Sequence, residues 1–216
     1  MIIFSSQWYN AIDMISLLFQ SPLTFFLLAG ALIVSICIHE FSHALAAYKL
    51  GDPTAKYLGR LTLNPKAHLD PVGTLFLLFV GFGWGKPVPF NPLNLKNPKR
   101  DAALISLAGP ASNFILAVIL SLPFKYLGIN SLTGVFLGLT ILYNLTLGFF
   151  NLIPFGPLDG NKIVYGFLPY NLSVQWEDFQ RYGTYILMFL VLTNSTEKIL
   201  TPLVDTTMKM LGVYLP

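Results

Sequence analysis

The sequence predicts an all-α polytopic membrane protein, with about four transmembrane helices, a re-entrant or interfacial segment, and a possible short β element between the first two spans. Three observations carry this expectation. Only 11% of the residues are charged, where soluble domains carry roughly 25%. The mean hydropathy is +0.64. Long stretches hold no charge at all, from Met14 to Ile38 and from Ala102 to Phe124. A chain of 216 residues has room for about four or five spans of ~20 residues and short loops, read as one membrane-embedded domain over 1–216. The formal net charge of +3 is too small to argue for nucleic acid. The single cysteine, Cys37, excludes an internal disulfide framework and reads as a small apolar filler.

Residues 1–20 read as an interfacial lead-in, because Trp8 and Tyr9 suit the headgroup region and Asp13 is the sole charge. No basic residue precedes Lys49, so the charged start of a signal peptide is missing and the first apolar run is expected to remain as a span. That span, 22–48, opens at Pro22 and stops at Tyr48, Lys49 and Gly51-Asp52-Pro53. Asp52 and Asp70 read as turn residues beside proline. Residues 54–68 are polar and basic, with a short strand expected over Tyr57–Leu63. Pro71–Gly85 is uncharged but glycine-rich and shorter than the ~20 residues of a crossing helix, which favours a re-entrant segment over 71–85. Four prolines (87, 89, 92 and 98) make 86–100 a loop. Spans follow at 102–124 and 132–153. After the latter, Pro154, Gly156, Pro157 and Gly160 break regular helix, so Asp159 is displayed from irregular backbone. At membrane depth such backbone needs protein or a water-filled cavity around it. The last apolar region, 180–204, is interrupted by Glu197 and Lys198. It either spans with snorkelling ends or inserts only Tyr182–Leu192.

The chemistry concentrates in Ile36-Cys37-Ile38-His39-Glu40-Phe41-Ser42-His43. On a helix His39 and His43 are one turn apart and share a face, so two imidazoles can hold one metal ion. Glu40 stands beside them as a general base rather than a ligand. Short motifs recur by chance, but an ionisable cluster closing an uncharged run is costly in a bilayer and functional by default. Catalytic zinc takes three protein ligands. Asp159 is the stronger candidate for the third; His68, in a polar loop beside Asp70, is the rival.

Basic residues orient the chain. Lys49, Lys56, Arg60 and Lys66 follow the first span and nothing positive precedes it, so its C-terminal end is expected to face the cytoplasm. If Pro71–Gly85 crossed the membrane, four further cations would lie outside and Asp159 would end opposite the histidine pair. If the segment enters and returns, Asp159 arrives on the same side as His39 and His43.

The residues His39-Glu40-Phe41-Ser42-His43 and Asn151-x-x-Pro154-x-x-Pro157-x-Asp159-Gly160 resemble the site-2 proteases, zinc intramembrane metalloproteases. Gly109-Pro110-Ala111-Ser112-Asn113 is similar to a further element of that family. The resemblance implies one zinc ion held by His39, His43 and Asp159, with Glu40 as catalytic base. It also implies that Asn151 helps to stabilise the reacting carbonyl; the plainer reading of Asn151 is a helix C-terminal cap. The implied activity is hydrolysis of a peptide bond in or near a transmembrane segment of a membrane-protein substrate. The expected setting is the cell membrane, with the active site toward the cytoplasm. The re-entrant 71–85 segment and the 81–89 loop are candidates for presenting an extended substrate by strand addition; the plainer reading of the loop is packing over the mouth of the site. A metal-ion transporter would not need Glu40 beside the ligands, and an inert scaffold would not need the full catalytic set. A prenyl-protein endopeptidase shares the chemistry but not the Asn-Pro-Asp arrangement.

Overall fold

Proline opens three of the helices, at a position where its missing N–H and fixed φ cost nothing. In the computed structural model, which describes residues 17–80 and 83–215, α1 (Pro22–Lys49) begins this way and is followed by a single turn, α2 (Thr54–Tyr57). Next come α3 (Pro71–Val80) and α4 (Pro98–Leu127), each again starting on proline. The Asp101 carboxylate reaches back to the Asn97 N–H at 2.9 Å, satisfying a donor at the start of α4. α5 (Leu132–Asn151) is capped by Ser131, whose hydroxyl accepts the Gly134 N–H at 3.0 Å. The chain closes with α6 (Asp159–Phe167), α7 (Tyr170–Phe179), α8 (Gly183–Leu192) and α9 (Ser195–Leu211).

Three of these helices, α1, α4 and α5, are long and apolar enough to cross a bilayer. α4 lies at the centre and packs on α1, α5 and α6, while α9 leans on α5. Ala117 and Phe124 of α4, Ile141 and Leu145 of α5, and Val204 and Met208 of α9 form the main apolar core. The polarity is inverted relative to a soluble bundle. Ser35, Asn113, Thr140 and Asn144 are buried between the helices, whereas Ile115, Val118, Ile119 and Leu122 on the outer face of α4 are each more than half exposed. In water that face would be a large apolar patch. In hydrocarbon it is solvated, and the inward polar groups find partners. This is a membrane protein.

One expectation changes. The strand over Tyr57–Leu63 is not formed: Tyr57 closes a helical turn and Gly59, at φ +68°, reverses the chain. Among the described residues, extended pairing here is a single antiparallel bridge between Leu69 and Gly85. The last apolar region is two helices rather than one continuous helix. It divides at Asn194, whose φ of +54° lies in the left-handed region that asparagine tolerates better than most residues. The ten residues of α8 would rise about 15 Å, half of the hydrocarbon thickness. Most of the lead-in at 1–20, including Trp8, Tyr9 and Asp13, lies outside the described residues, as do Gly81 and Phe82.

Candidate metal centre

Both histidines sit on the inward face of the last three turns of α1, and both are buried. Their Nε2 atoms lie 3.0 Å apart. Asp159 Oδ2 is 3.2 Å from each of them. This is the one His/Cys/Asp/Glu group among the described residues whose donor atoms converge in this way. Each Nδ1 is held by an oxygen, that of His39 by Asn113 Oδ1 at 2.6 Å and that of His43 by the Ile105 carbonyl at 2.7 Å. A carbonyl only accepts, so His43 carries its proton on Nδ1 and turns the Nε2 lone pair inward.

These donors fit zinc. Bonds of ~2.0–2.1 Å in a tetrahedral shell place ligand atoms about 3.3–3.4 Å apart, close to the separations found. Asp159 Oδ2 is buried and makes no hydrogen bond, a costly state for a carboxylate oxygen unless a cation completes it. The floor of the site is the backbone of Gly109. A Cβ there would lie 2.5 Å from His43 Cε1 and 2.7 Å from His39 Cε1, and closer still to His43 Nε2. Only glycine leaves that space to the ligands.

Asp159 opens α6 from the Leu152–Leu158 loop, which is fastened from several sides. Gln180 brackets it, donating to the Pro154 carbonyl at 2.8 Å and accepting the Gly156 N–H at 3.1 Å. Gly156 needs its positive φ of +66° to make the turn. Asn161 donates to the Gly156 carbonyl at 3.1 Å and is itself held by Trp176 Nε1 at 2.9 Å. A Cβ on Gly160 would collide with the carbonyls of Leu152 and Ile153, so the Asp-Gly pair brings α6 close under the end of α5.

Glu40 and Asn151 line the same cleft as the three donors, together with Val88 and Lys162. Glu40 Oε2 accepts the Val88 N–H at 3.1 Å. Asn151, the last residue of α5, donates one amide hydrogen to the Leu147 carbonyl at 3.0 Å. The strand-like stretch 86–88 is pinned by buried Arg60, whose guanidinium donates to the carbonyls of Lys86 and Pro87. His68 stands apart from the donor group. It is fully buried, and its Nε2 donates to the Thr62 carbonyl at 2.7 Å while its own carbonyl accepts the Lys86 N–H at 2.8 Å. It closes the loop. Asn144, Gln180 and Arg60 carry no motif in the sequence; the nearest signal was an amide in the middle of an apolar span, which is expensive without a partner.

Comparison with known proteins agrees with this geometry. The sequence profile of Peptidase family M50 matches residues 27–133 and 126–193. The chain belongs to that family, the site-2 proteases, and is a zinc metalloprotease. It is 42% identical over 184 residues to "Putative zinc metalloprotease YwhC" of Bacillus subtilis, covering 81% of this chain and 84% of that protein. It is 38% identical over 101 residues to "Putative zinc metalloprotease Rip2" of Mycolicibacterium smegmatis, covering 44% and 39%. With "Zinc metalloprotease MJ0392" of Methanocaldococcus jannaschii it shares 32% over 134 residues, covering 62% and 32%. No solved structure gives a significant match.

Proposed function

We propose that the protein is a zinc-dependent intramembrane endopeptidase that cuts a peptide bond in or near a transmembrane segment of a membrane-protein substrate. The observation that carries this reading is the convergence of His39 and His43, on the inner face of the candidate span α1, with Asp159 at the start of α6, and Glu40 in the same cleft. Zinc in such a site supplies a Lewis acid and lowers the pKa of its water to about 7. The chain's own groups do the rest. Glu40 takes the proton of the attacking water on the carboxylate and passes it to the departing amide nitrogen. The Val88 N–H holds Oε2, which fixes the carboxylate and leaves Oε1 for the transfer. Asn151 directs its second amide hydrogen to the developing oxyanion, a contact typically worth about 3 kcal/mol.

Access follows from the fold. The Leu69–Gly85 bridge and the Lys86 N–H bond to His68 bring the two ends of the 71–85 segment together. This supports a segment that enters the membrane and returns on the side it left. The basic loops then stay with the C-terminal end of α1 on the cytoplasmic side, and water reaches the site from there. The extended 85–89 stretch beside Glu40 suits an unwound substrate strand. The test is cleavage of a transmembrane peptide in liposomes. Glu40→Gln is expected to keep its zinc and lose turnover, and cleavage by that variant at the wild-type rate would refute the base assignment.

A further inference from the structure

A chain of buried amides runs from the middle of α5 through α4 to one metal ligand. Asn144 Nδ2 donates to the Thr140 carbonyl and to Ser35 Oγ, both at 2.8 Å. Asn144 Oδ1 accepts from Asn113 Nδ2 at 2.7 Å, and the same nitrogen is 3.3 Å from the Ser35 carbonyl. Asn113 Oδ1 meets His39 Nδ1 at 2.6 Å. Asn113, Asn144 and Ser35 are all completely buried.

The direction of every bond is forced from the far end. The Thr140 and Ser35 carbonyls can only accept, so the atoms facing them are the amide nitrogens. Asn144 is thereby left with its oxygen toward Asn113, and Asn113 with its oxygen toward His39. An oxygen facing an imidazole nitrogen requires the proton to be on that nitrogen. His39 therefore holds its proton on Nδ1 and presents a bare Nε2 to His43 Nε2 and Asp159 Oδ2. His43 receives the same instruction from a backbone carbonyl, which no substitution removes. His39 depends on side chains.

We propose that Asn144, acting through Asn113, is a positioning residue that locks His39 in its ligand tautomer and so sets the zinc affinity of the site, although Asn144 touches neither the ligands nor the cleft. The inference rests on the zinc reading above. The rival role for such amides is glue between membrane helices, and that role would act on stability without acting through Asn113.

A double-mutant cycle in zinc affinity separates the two. The full-length detergent-purified chain, Asn113→Leu, Asn144→Leu and the double variant are titrated with zinc against a competing chelator. Loss of such an outer partner typically costs about 10–100-fold in affinity. Asn144→Leu is expected to lose that much alone and nothing further in the Asn113→Leu background. Equal affinity of Asn144→Leu and wild type, or losses that simply add, would overturn the proposal. Wild type that binds no zinc would instead overturn the zinc reading beneath it. Where a variant does not fold, ring 15N spectra of the zinc-stripped wild-type chain at alkaline pH give a second test on its three histidines. Two rings protonated at Nδ1 (His39 and His43) and one at Nε2 (His68) are expected; His39 protonated at Nε2 would overturn the proposal.

Discussion

Gly109→Ala adds a single methyl group and is expected to disable the metal centre while leaving the helices intact. The added carbon would stand 2.5 Å from His43 Cε1 and 2.7 Å from His39 Cε1. Ordinary van der Waals contact begins at 3.4 Å, so the His43 ring must retreat by nearly 1 Å and the His39 ring by about 0.7 Å. Neither ring can do so cheaply, because Asn113 and the Ile105 carbonyl hold their far sides. Metal–ligand distances tolerate only about 0.2 Å. The overpacking itself costs about 1–3 kcal/mol, which a membrane bundle can absorb. Displacing ligands is expected to lower zinc affinity by at least 100-fold, equivalent to about 2.7 kcal/mol. The assay is zinc content after dialysis against a chelator, with far-ultraviolet circular dichroism as the control for folding. A Gly109→Ala protein that keeps one zinc per chain at wild-type affinity would refute the placement of α4 against the histidine pair.

Gln180→Leu removes both hydrogen bonds that bracket the loop before Asp159, and is expected to lower zinc affinity about tenfold and stability by about 1–3 kcal/mol; unchanged zinc titration and melting would contradict it. Asp52 offers a pH prediction. Burial pushes its carboxyl upward, but bonds from Thr54, Asn94 and the Asn91 N–H outweigh this and hold it below the ordinary carboxylate value. A lowered folded value means that its stabilisation is complete above about pH 4 and is lost as the pH falls through that lower value. The acid limb of the melting profile should therefore flatten in Asp52→Asn, and an identical limb in both proteins would count against this network.

Much of the centre was legible because its parts are local. His39, Glu40 and His43 lie within five consecutive residues directly after an uncharged run of one helix, and that spacing puts both imidazoles on one helix face. Asp159 was legible for a different reason: few carboxylates follow an apolar span, and Pro154, Gly156 and Pro157 break the helix before it, although Asp159 itself then opens α6 rather than standing on irregular backbone. Asn113 was visible only as part of a motif, since its partner His39 is 74 residues away. Asn144 and Gln180 act through long-range contacts that no periodicity encodes. The strand at Tyr57–Leu63 failed because Gly59 and the turn after Asp52 act locally against extension. The division of 180–204 into two helices turned on one backbone angle at Asn194, which composition does not reveal.

The donor set is drawn from two distant parts of the chain, one pair from α1 and the third from the start of α6, more than a hundred residues later. An ion that binds only the folded arrangement stabilises it by mass action, and here it also fastens two ends of a long loop. Occupancy is thus a tether between the α1–α4–α5 bundle and the C-terminal third. Stripping the ion would be felt first as loosening of the start of α6 and of the loop before it, well before the apolar core that α9 shares with α4 and α5 melts. The metal centre therefore reports on assembly as well as on chemistry.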